Sequence, residues 1–230
     1  MASIADTSEE MRVNAWFSSL PPGELRALLS SSDVVVLHAG DYLFRQGDAP
    51  DGFYGLNHGR LKASTVREDG KEAILAVVEA GNWFGQTSMT QRLPRMRDVV
   101  ALDESTIFAV KPLAFGALMK NVTFFKAIAD LQSIHMNWLY RMVEDVTLYS
   151  TRARIARRLL LLAYGDVTMA PQIRREIAVS QDILAMMLGI TRQTLALELK
   201  AMAAKGAINL HYGRIEILSK EMLLTFQGHV

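Results

Sequence analysis

The stretch VSQDILAMMLGITRQTLALELKAM, residues 179–202, holds two helical patterns separated by a short turn. Ser180 is expected to cap the first helix, because its hydroxyl can accept a backbone N–H of the first turn. Leu188-Gly189-Ile190 predicts a tight turn, and Thr191 caps a second helix that continues to Ala204. Two helices joined by a three-residue turn that contains glycine are typical of a helix-turn-helix.

The residues after this stretch predict a β-hairpin. "AINL" (207–210) and "RIEIL" (214–218) are rich in β-branched and apolar residues, and they flank Tyr212-Gly213. A two-residue turn that contains glycine is typical of a tight hairpin. A hairpin that directly follows a helix-turn-helix is interpreted as a wing.

The charge of the chain is concentrated in the same region. Residues 1–150 contain 14 Lys and Arg against 18 Asp and Glu, a net charge of −4, whereas residues 151–230 contain 11 against 6, a net charge of +5. A basic C-terminal third indicates that an anionic partner binds there.

Composition narrows the class of protein further. The chain has no cysteine, which excludes disulfides and cysteine-ligated clusters. Its longest apolar runs, such as Leu159–Tyr164, are too short for a transmembrane helix, and its first residues, MASIADTSEEMR, do not have the pattern of a secretory signal. We therefore expect a soluble, cytoplasmic protein.

The front of the chain predicts β-structure. Between Val34 and Val110, short apolar segments are separated by turn signals such as Gly40-Asp41, Gly47-Asp48 and His58-Gly59. Short strands at this spacing indicate a sandwich or barrel rather than alternating βα units.

A long helix is predicted between these two parts, over residues 121–149, because the segment has no glycine or proline. Its apolar residues recur at helical spacing. The residues of this stripe are Ile128, Leu131, Ile134 or His135, Trp138, Met142 and Val146. The stripe favours a coiled-coil-like dimer contact, with packing against its own domain as the alternative. Ser150-Thr151 marks the end of the helix and a domain boundary.

Four motifs in order carry a resemblance over residues 16–218. They are FRQGD (44–48), GRLKAS (59–64), FGQ…PR (84–95) and the helix-turn-helix of residues 179–202. With them, the chain resembles the cyclic-AMP receptor/fumarate-nitrate regulator (Crp/Fnr) family of bacterial transcription regulators.

The resemblance implies an α+β protein in three parts. Residues 1–120 would form a cyclic-nucleotide-binding-like β-roll (a jelly roll) that senses an effector, 121–149 a dimerisation helix, and 150–230 a winged helix-turn-helix. Its partners would be double-stranded DNA, a second copy of the chain, RNA polymerase and a small-molecule effector of unknown identity. The candidate DNA-binding residues are Ser180, Gln181, Thr191, Arg192, Gln193, Thr194, Leu197 and Lys200.

Three of the candidate DNA-binding residues bear on which bases are read. Arg192, Gln193 and Leu197 stand at positions where the family presents an Arg, a Glu and a second Arg. An amide suits adenine better than cytosine, and Leu197 can contact only a thymine methyl. We therefore expect palindromic sites whose half-sites differ from the TGTGA type usual in the family.

The resemblance also identifies an effector cassette. In cyclic-nucleotide-binding members, backbone N–H groups after the Phe-Gly step and an Arg hold the phosphate, a Ser or Thr adds a hydroxyl, and a Glu binds the ribose. The corresponding residues here are Gly85, Gln86, Thr87, Arg95 and Met96, with Leu139 and Tyr140 where the family places hydroxyl residues against the purine.

This cassette departs from the family pattern at four positions. Gln86 lacks the charge of Glu, and neither Met96 nor Leu139 can form a hydrogen bond through its side chain. Tyr140 fills volume where a small hydroxyl residue is expected. We therefore expect no response to cyclic AMP. Arg95 would either bind another anion or pair with an internal carboxylate.

The sequence lacks the motifs of several other classes of protein. The chain has no His-x-His, Gly-x-Ser-x-Gly or His-Glu-x-x-His motif, so an enzyme is not expected. Two alternatives of the same architecture stay open. One is a haem-based gas sensor, with His38, His58, His135 or a Met as the axial ligand. The other is a constitutive DNA binder without any ligand.

Overall fold

The computed structural model describes residues 2–70, 72–164 and 174–227 of the chain. The chain divides into two compact units, the first built mainly from residues up to Asn137 and the second mainly from Trp138 onward. This division falls inside the long central helix. The three-part assignment with boundaries at 120/121 and 149/150 is finer than this and stays a prediction.

The first unit begins with short helices and continues with short strands. The helical segments are a 3-10 turn at Ile4–Asp6, α1 (Glu9–Val13), α2 (Ala15–Ser18), α3 (Pro22–Ser30), α4 (Gln86–Gln91), α5 (Pro112–Leu118) and the long helix α6 (Val122–Leu148), whose second half belongs to the other unit. The strands are β1 (Ser32–Leu37), β2 (Tyr42–Phe44), β3 (Phe53–His58), β4 (Arg60–Val66), β5 (Glu72–Glu79), β6 (Trp83–Phe84), β7 (Asp98–Ala101) and β8 (Ser105–Val110).

These strands form two four-stranded sheets. One has the order β1-β8-β3-β6 and the other β2-β7-β4-β5. The pairs β1–β8, β3–β8, β3–β6, β2–β7 and β4–β7 are antiparallel. Leu56 and Ile107 of the first sheet and Leu61 of the second are fully buried. The β-roll predicted between residues 34 and 110 is confirmed.

The helix α2 contacts both the core of this unit and the first turns of α6. The indole Nε1–H of Trp16 donates to the backbone oxygen of Ala127 at 2.6 Å. Trp16 also contacts Trp83 and Phe53, with ring centroids 6.0 Å away in both cases. Because these rings exclude water from the start of α6, that part of the helix is anchored by apolar packing.

The predicted stripe on α6 is corrected by the structure. Ile128, Leu131 and Trp138 are buried within their own chain, with exposures of 2%, 4% and 8%. Ile128 and Leu131 belong to the same apolar cluster as Trp16. The interpretation of these residues as a dimer face was therefore wrong, and of the predicted stripe only Val146 is largely exposed.

The second unit contains the predicted helix-turn-helix and wing. Its elements are α7 (Thr151–Tyr164), β9 (Glu176–Ile177), α8 (Gln181–Leu188), α9 (Arg192–Ala204), β10 (Ile208–His211), β11 (Arg214–Ile217) and α10 (Lys220–Thr225). The hairpin of β10 and β11 gains β9 as a third strand, in the order β10-β11-β9. Over the described ranges, no helix has the length and apolar character that a membrane span requires.

Candidate DNA-binding surface and effector cassette

The caps of α8 and α9 set the geometry of the helix-turn-helix. The Ser180 hydroxyl accepts the N–H of Ile183 at 3.2 Å, and the Thr191 hydroxyl accepts the N–H of Thr194 at 3.1 Å. Gly189 ends α8 with φ +64°, in the left-handed region that glycine adopts at no steric cost. The two caps and the glycine turn predicted from the sequence are confirmed.

One face of this motif is buried and the other is open to solvent. The buried residues are Leu184, Ala185, Leu188, Leu195, Leu199 and Met202. On α9, Gln193, Leu197 and Lys200 follow one another at helical spacing, and all three are exposed. Leu197 is 69% exposed, so the face that α9 presents to solvent includes an apolar side chain beside polar ones.

The other candidate DNA-binding residues lie at the starts of the two helices. Thr191, Arg192 and Thr194 are exposed at the beginning of α9, and Ser180 and Gln181 are half-buried at the beginning of α8. All eight candidates are therefore in the helix-turn-helix, and six of them are exposed. Their contacts with DNA stay a prediction.

Two arginine contacts at the helix-turn-helix were not expected from the sequence. Arg152 of α7 donates to Glu198 at 2.6 Å, and Arg154 donates to the backbone oxygen of Leu188 at 2.6 Å. Arg152 and Glu198 are 46 residues apart, so no local pattern indicates that they meet. The two arginines link α9 and the end of α8 to α7.

In the effector cassette, Arg95 is bound by its own chain. Its Nη2 donates to Asp51 Oδ1 at 2.8 Å and to the backbone oxygen of Gly52 at 2.6 Å. Its Nη1 lies 3.3 Å from the backbone oxygen of Gly85. The side chain is only 2% exposed, and its guanidinium carbon lies 4.2 Å from the centre of the Phe44 ring. Of the two roles considered for Arg95, the structure shows the internal ion pair.

Asp51 is tied into the same network from its other side. The Tyr54 hydroxyl donates to Asp51 Oδ1 at 2.8 Å. Burial, together with this hydrogen bond, raises the pKa of Tyr54 well above its usual value of 10.0. Tyr54 therefore stays a neutral donor, and Asp51 accepts from both Tyr54 and Arg95.

The remaining cassette residues of the first unit divide between the interior and the surface. Gln86 is 2% exposed, although it begins a short polar helix, whereas Thr87 is exposed and Met96 is 65% exposed. Gly85, before α4, has φ +93°, and a Cβ there would lie 3.2 Å from Arg95 Nη1. A glycine is therefore needed for the backbone to approach the buried guanidinium.

Gln86 meets the long helix through a histidine. Its Nε2 lies 2.8 Å from Nδ1 of His135. Burial and the nearby charge of Arg97 lower the pKa of His135 to about 4. Burial also lowers the pKa of Arg97. At neutral pH the imidazole is uncharged, and its Nδ1 accepts a hydrogen from the Gln86 amide.

The two residues predicted against a purine, Leu139 and Tyr140, lie beyond the division of the chain, in the second unit. They are 43% and 66% exposed. Their role in an effector site stays a prediction, as do the roles of the cassette residues.

Sequence reasoning missed a different apolar stripe on α6. Its residues follow one another along the helix in alternating steps of four and three. They are Phe125, Ala129, Gln132, Met136, Leu139, Val143 and Val146. Five of them are large apolar residues with exposures between 43% and 64%. Alternating steps of four and three are the heptad pattern of a coiled-coil seam, so the spacing could have identified this stripe. We call it the heptad face.

The histidines considered as haem ligands have other surroundings. His38 and His58 are exposed at strand ends, and Nδ1 of His135 is paired with Gln86. Among the residues that the structure describes, no group of three or more His, Cys, Asp or Glu is arranged to hold a metal ion.

The fold and its exposed α9 define a class of protein: a DNA-binding transcription regulator with a cyclic-nucleotide-binding-type β-roll. Residues 34–122 match the model of the cyclic nucleotide-binding domain, and residues 153–226 match that of the Crp-like helix-turn-helix domain. The chain belongs to the Crp/Fnr family. Its relatives in that family are transcription regulators and not enzymes.

Relatives resemble the chain over nearly its whole length. The cyclic AMP receptor protein of Thermus thermophilus is 24% identical over 214 residues, which cover 93% of this chain and 96% of that protein. The structure of FixK2 from Bradyrhizobium japonicum has a TM-score of 0.76 at 14% identity, covering 86% of this chain and 98% of FixK2. The c-di-GMP responsive regulator CLP of Xanthomonas campestris has a TM-score of 0.72 at 17% identity, covering 86% and 100%.

Proposed function

We propose that the chain is a homodimeric regulator that binds operator DNA through α9 without requiring cyclic AMP. The observation that carries the proposal is the ion pair between Arg95 and Asp51, because Arg95 is the residue expected to receive the phosphate. It acts in the cytoplasm and works with RNA polymerase, as is usual for bacterial regulators of this class.

The case against a bound cyclic nucleotide begins with charge. A phosphate beside Arg95 would also lie beside the Asp51 carboxylate, which already occupies Nη2 at 2.8 Å. Two anions that share one guanidinium repel each other, and both are partly desolvated in such a site.

Two further side-chain bonds of the family's ligand site are lost as well. The Gln86 amide is buried against His135, and Met96 cannot donate a hydrogen bond. Each lost hydrogen bond removes roughly 0.5–1.5 kcal/mol, so several losses reduce affinity by some powers of ten.

The case for a dimer rests on the heptad face. Phe125, Met136, Leu139, Val143 and Val146 are large apolar residues exposed along one helix. A soluble chain rarely leaves a row of large apolar residues of this length in water. A second copy of the same helix covers a seam of this spacing most directly, with knobs-into-holes packing about a two-fold axis.

The case for base reading rests on Gln193, Leu197 and Lys200. They share the exposed face of α9, whose opposite face is buried in the unit. In a helix-turn-helix the second helix enters the major groove, so these side chains would meet base edges and phosphates.

Titration calorimetry with cyclic AMP tests the effector part of the proposal. We expect no saturable heat at micromolar protein, since Arg95 is already paired with Asp51. A dissociation constant in the micromolar range or tighter would contradict it. Asp51→Asn is the matched variant, because it removes the competing charge while leaving Arg95 buried.

A further inference from the structure

Two side-chain hydrogen bonds tie the cassette helix α4 to α6. Gln86 Nε2 lies 2.8 Å from His135 Nδ1, and Gln132 Nε2 donates to the Thr90 hydroxyl at 3.2 Å. Gln86 and Thr90 are four residues apart, and Gln132 and His135 are three apart, so each pair lies on one face of its helix. We call these two bonds the α4–α6 brace.

The Gln86–His135 bond is the interior half of the brace. Gln86 is 2% exposed, whereas Thr90 is exposed. A buried amide that loses its partner carries an uncompensated desolvation cost, so the buried bond is the stronger constraint.

The Gln86 amide is the donor of this bond and the His135 imidazole is the acceptor. A neutral imidazole accepts at Nδ1 when its proton is on Nε2, and the Gln86 amide supplies the hydrogen. A Glu carboxylate at position 86 could only accept, from an imidazole protonated on Nδ1, and it would bring a charge into the interior. The departure from the family's Glu at this position therefore creates a neutral link within the chain.

We propose that the Gln86–His135 bond replaces a bound effector: it holds the cassette on α6 in the arrangement that binds DNA, so that the active form persists without a ligand. This inference rests on the proposed effector independence. His135 acts as a positioning residue, because it touches neither DNA nor a ligand. The helix that it holds also carries the heptad face, which begins ten residues earlier at Phe125.

The physical basis is a shift between two forms of the chain. A ligand favours the form that it binds better, by the difference in its affinity for the two forms. A hydrogen bond that forms within the chain in just one of the two forms also favours that form. It does so whether or not a ligand is present. Its removal should therefore lower operator affinity without changing which bases are preferred.

Operator affinity of the full chain, measured by fluorescence anisotropy without additives, tests the inference. We expect His135→Ala and Gln86→Met each to weaken binding by about tenfold, the change that one net hydrogen bond can produce. His135→Asn should restore most of the affinity, because its amide oxygen can accept from Gln86. His58→Ala is the matched control, since His58 is exposed.

Combining the variants separates the bond from a general loss of stability. The double variant Gln86→Met/His135→Ala should bind no more weakly than either single variant, because both remove one bond. Gln86→Met keeps a side chain of similar size in the interior, so it reports on the bond even if His135→Ala folds poorly.

The outcomes distinguish this inference from the proposed function. Suppose that the wild type binds its operator without additives. Single variants that bind equally well, or losses that add in the double variant, would then overturn the role inferred for the Gln86–His135 bond and leave the proposed function standing. A wild-type protein that binds only after a nucleotide is added would overturn both.

Discussion

At the scale of single residues, partners distant in sequence decide what the cassette can do. Arg95 and Asp51 are 44 residues apart, and Gln86 and His135 are 49 apart. The sequence shows that Gln86 and Met96 depart from the family pattern, but nothing local shows which side chains Arg95 and Gln86 meet. The alternatives for Arg95 could therefore be stated from the sequence and separated only by the structure.

His135 should make stability depend on pH. Its pKa is lowered from 6.5 to about 4 in the folded chain by burial and by Arg97. Between these values the unfolded chain binds a proton that the folded chain does not, so stability present above pH 6.5 falls as the pH drops toward 4. Urea unfolding between pH about 7.5 and about 5 should show a steeper loss for the wild type than for His135→Gln. Equal slopes would contradict the burial of a neutral imidazole, and His58→Gln is the control.

Gln193 and Leu197 should set the preferred half-site. The double variant Gln193→Glu/Leu197→Arg restores the side chains that the family presents, so its preference should move toward TGTGA half-sites. Each restored contact should change discrimination by roughly 1–3 kcal/mol at one base pair. Selection from random DNA measures the shift. Recovery of plain TGTGA half-sites by the wild-type protein would show that these two residues do not have the assigned roles.

At the scale of elements, local sequence signals predict the bounds of the helices in the second unit. They do not predict which face of α6 is buried. Ser180, Gly189 and Thr191 act on backbone groups within a few residues, so the bounds of α8 and α9 follow from the sequence. The face of α6 that is buried depends on what packs against it. Trp16 and Trp83 are distant in sequence from this helix, and Ile128 and Leu131 are buried in the same apolar cluster as these two rings.

The heptad face gives the sharpest test of the dimer. Val143 and Val146 are 63% and 64% exposed, so changing both to Glu should leave the protomer folded while placing charges in the proposed seam. Sedimentation should then show monomers, and operator affinity should fall at least about tenfold, because one protomer contacts one half-site. Arg141→Glu, an exposed change outside the heptad positions, should stay dimeric. A double variant that remains a dimer would place the interface elsewhere.

At the scale of the whole molecule, the second unit supports DNA binding, and the first unit bears on the response to a nucleotide. The second unit has the helix-turn-helix, and the chain after residue 150 has the excess of Lys and Arg that DNA phosphates attract. The first unit retains the β-roll and the glycine before α4, while its Arg95 is bound by Asp51. The fold of the family is therefore kept, and the arginine of its cassette is paired with a carboxylate of the same chain.

Operator binding with and without cyclic AMP tests this account most directly. Anisotropy with a palindromic operator recovered by selection should give the same dissociation constant, within about twofold, in the absence of nucleotide and at about millimolar cyclic AMP. The reason is that a ligand shifts an equilibrium only by its difference in affinity for the two forms. Tight binding in buffer alone is the predicted result. Binding that appears, or strengthens by about tenfold or more, only when cyclic AMP is added would contradict the account.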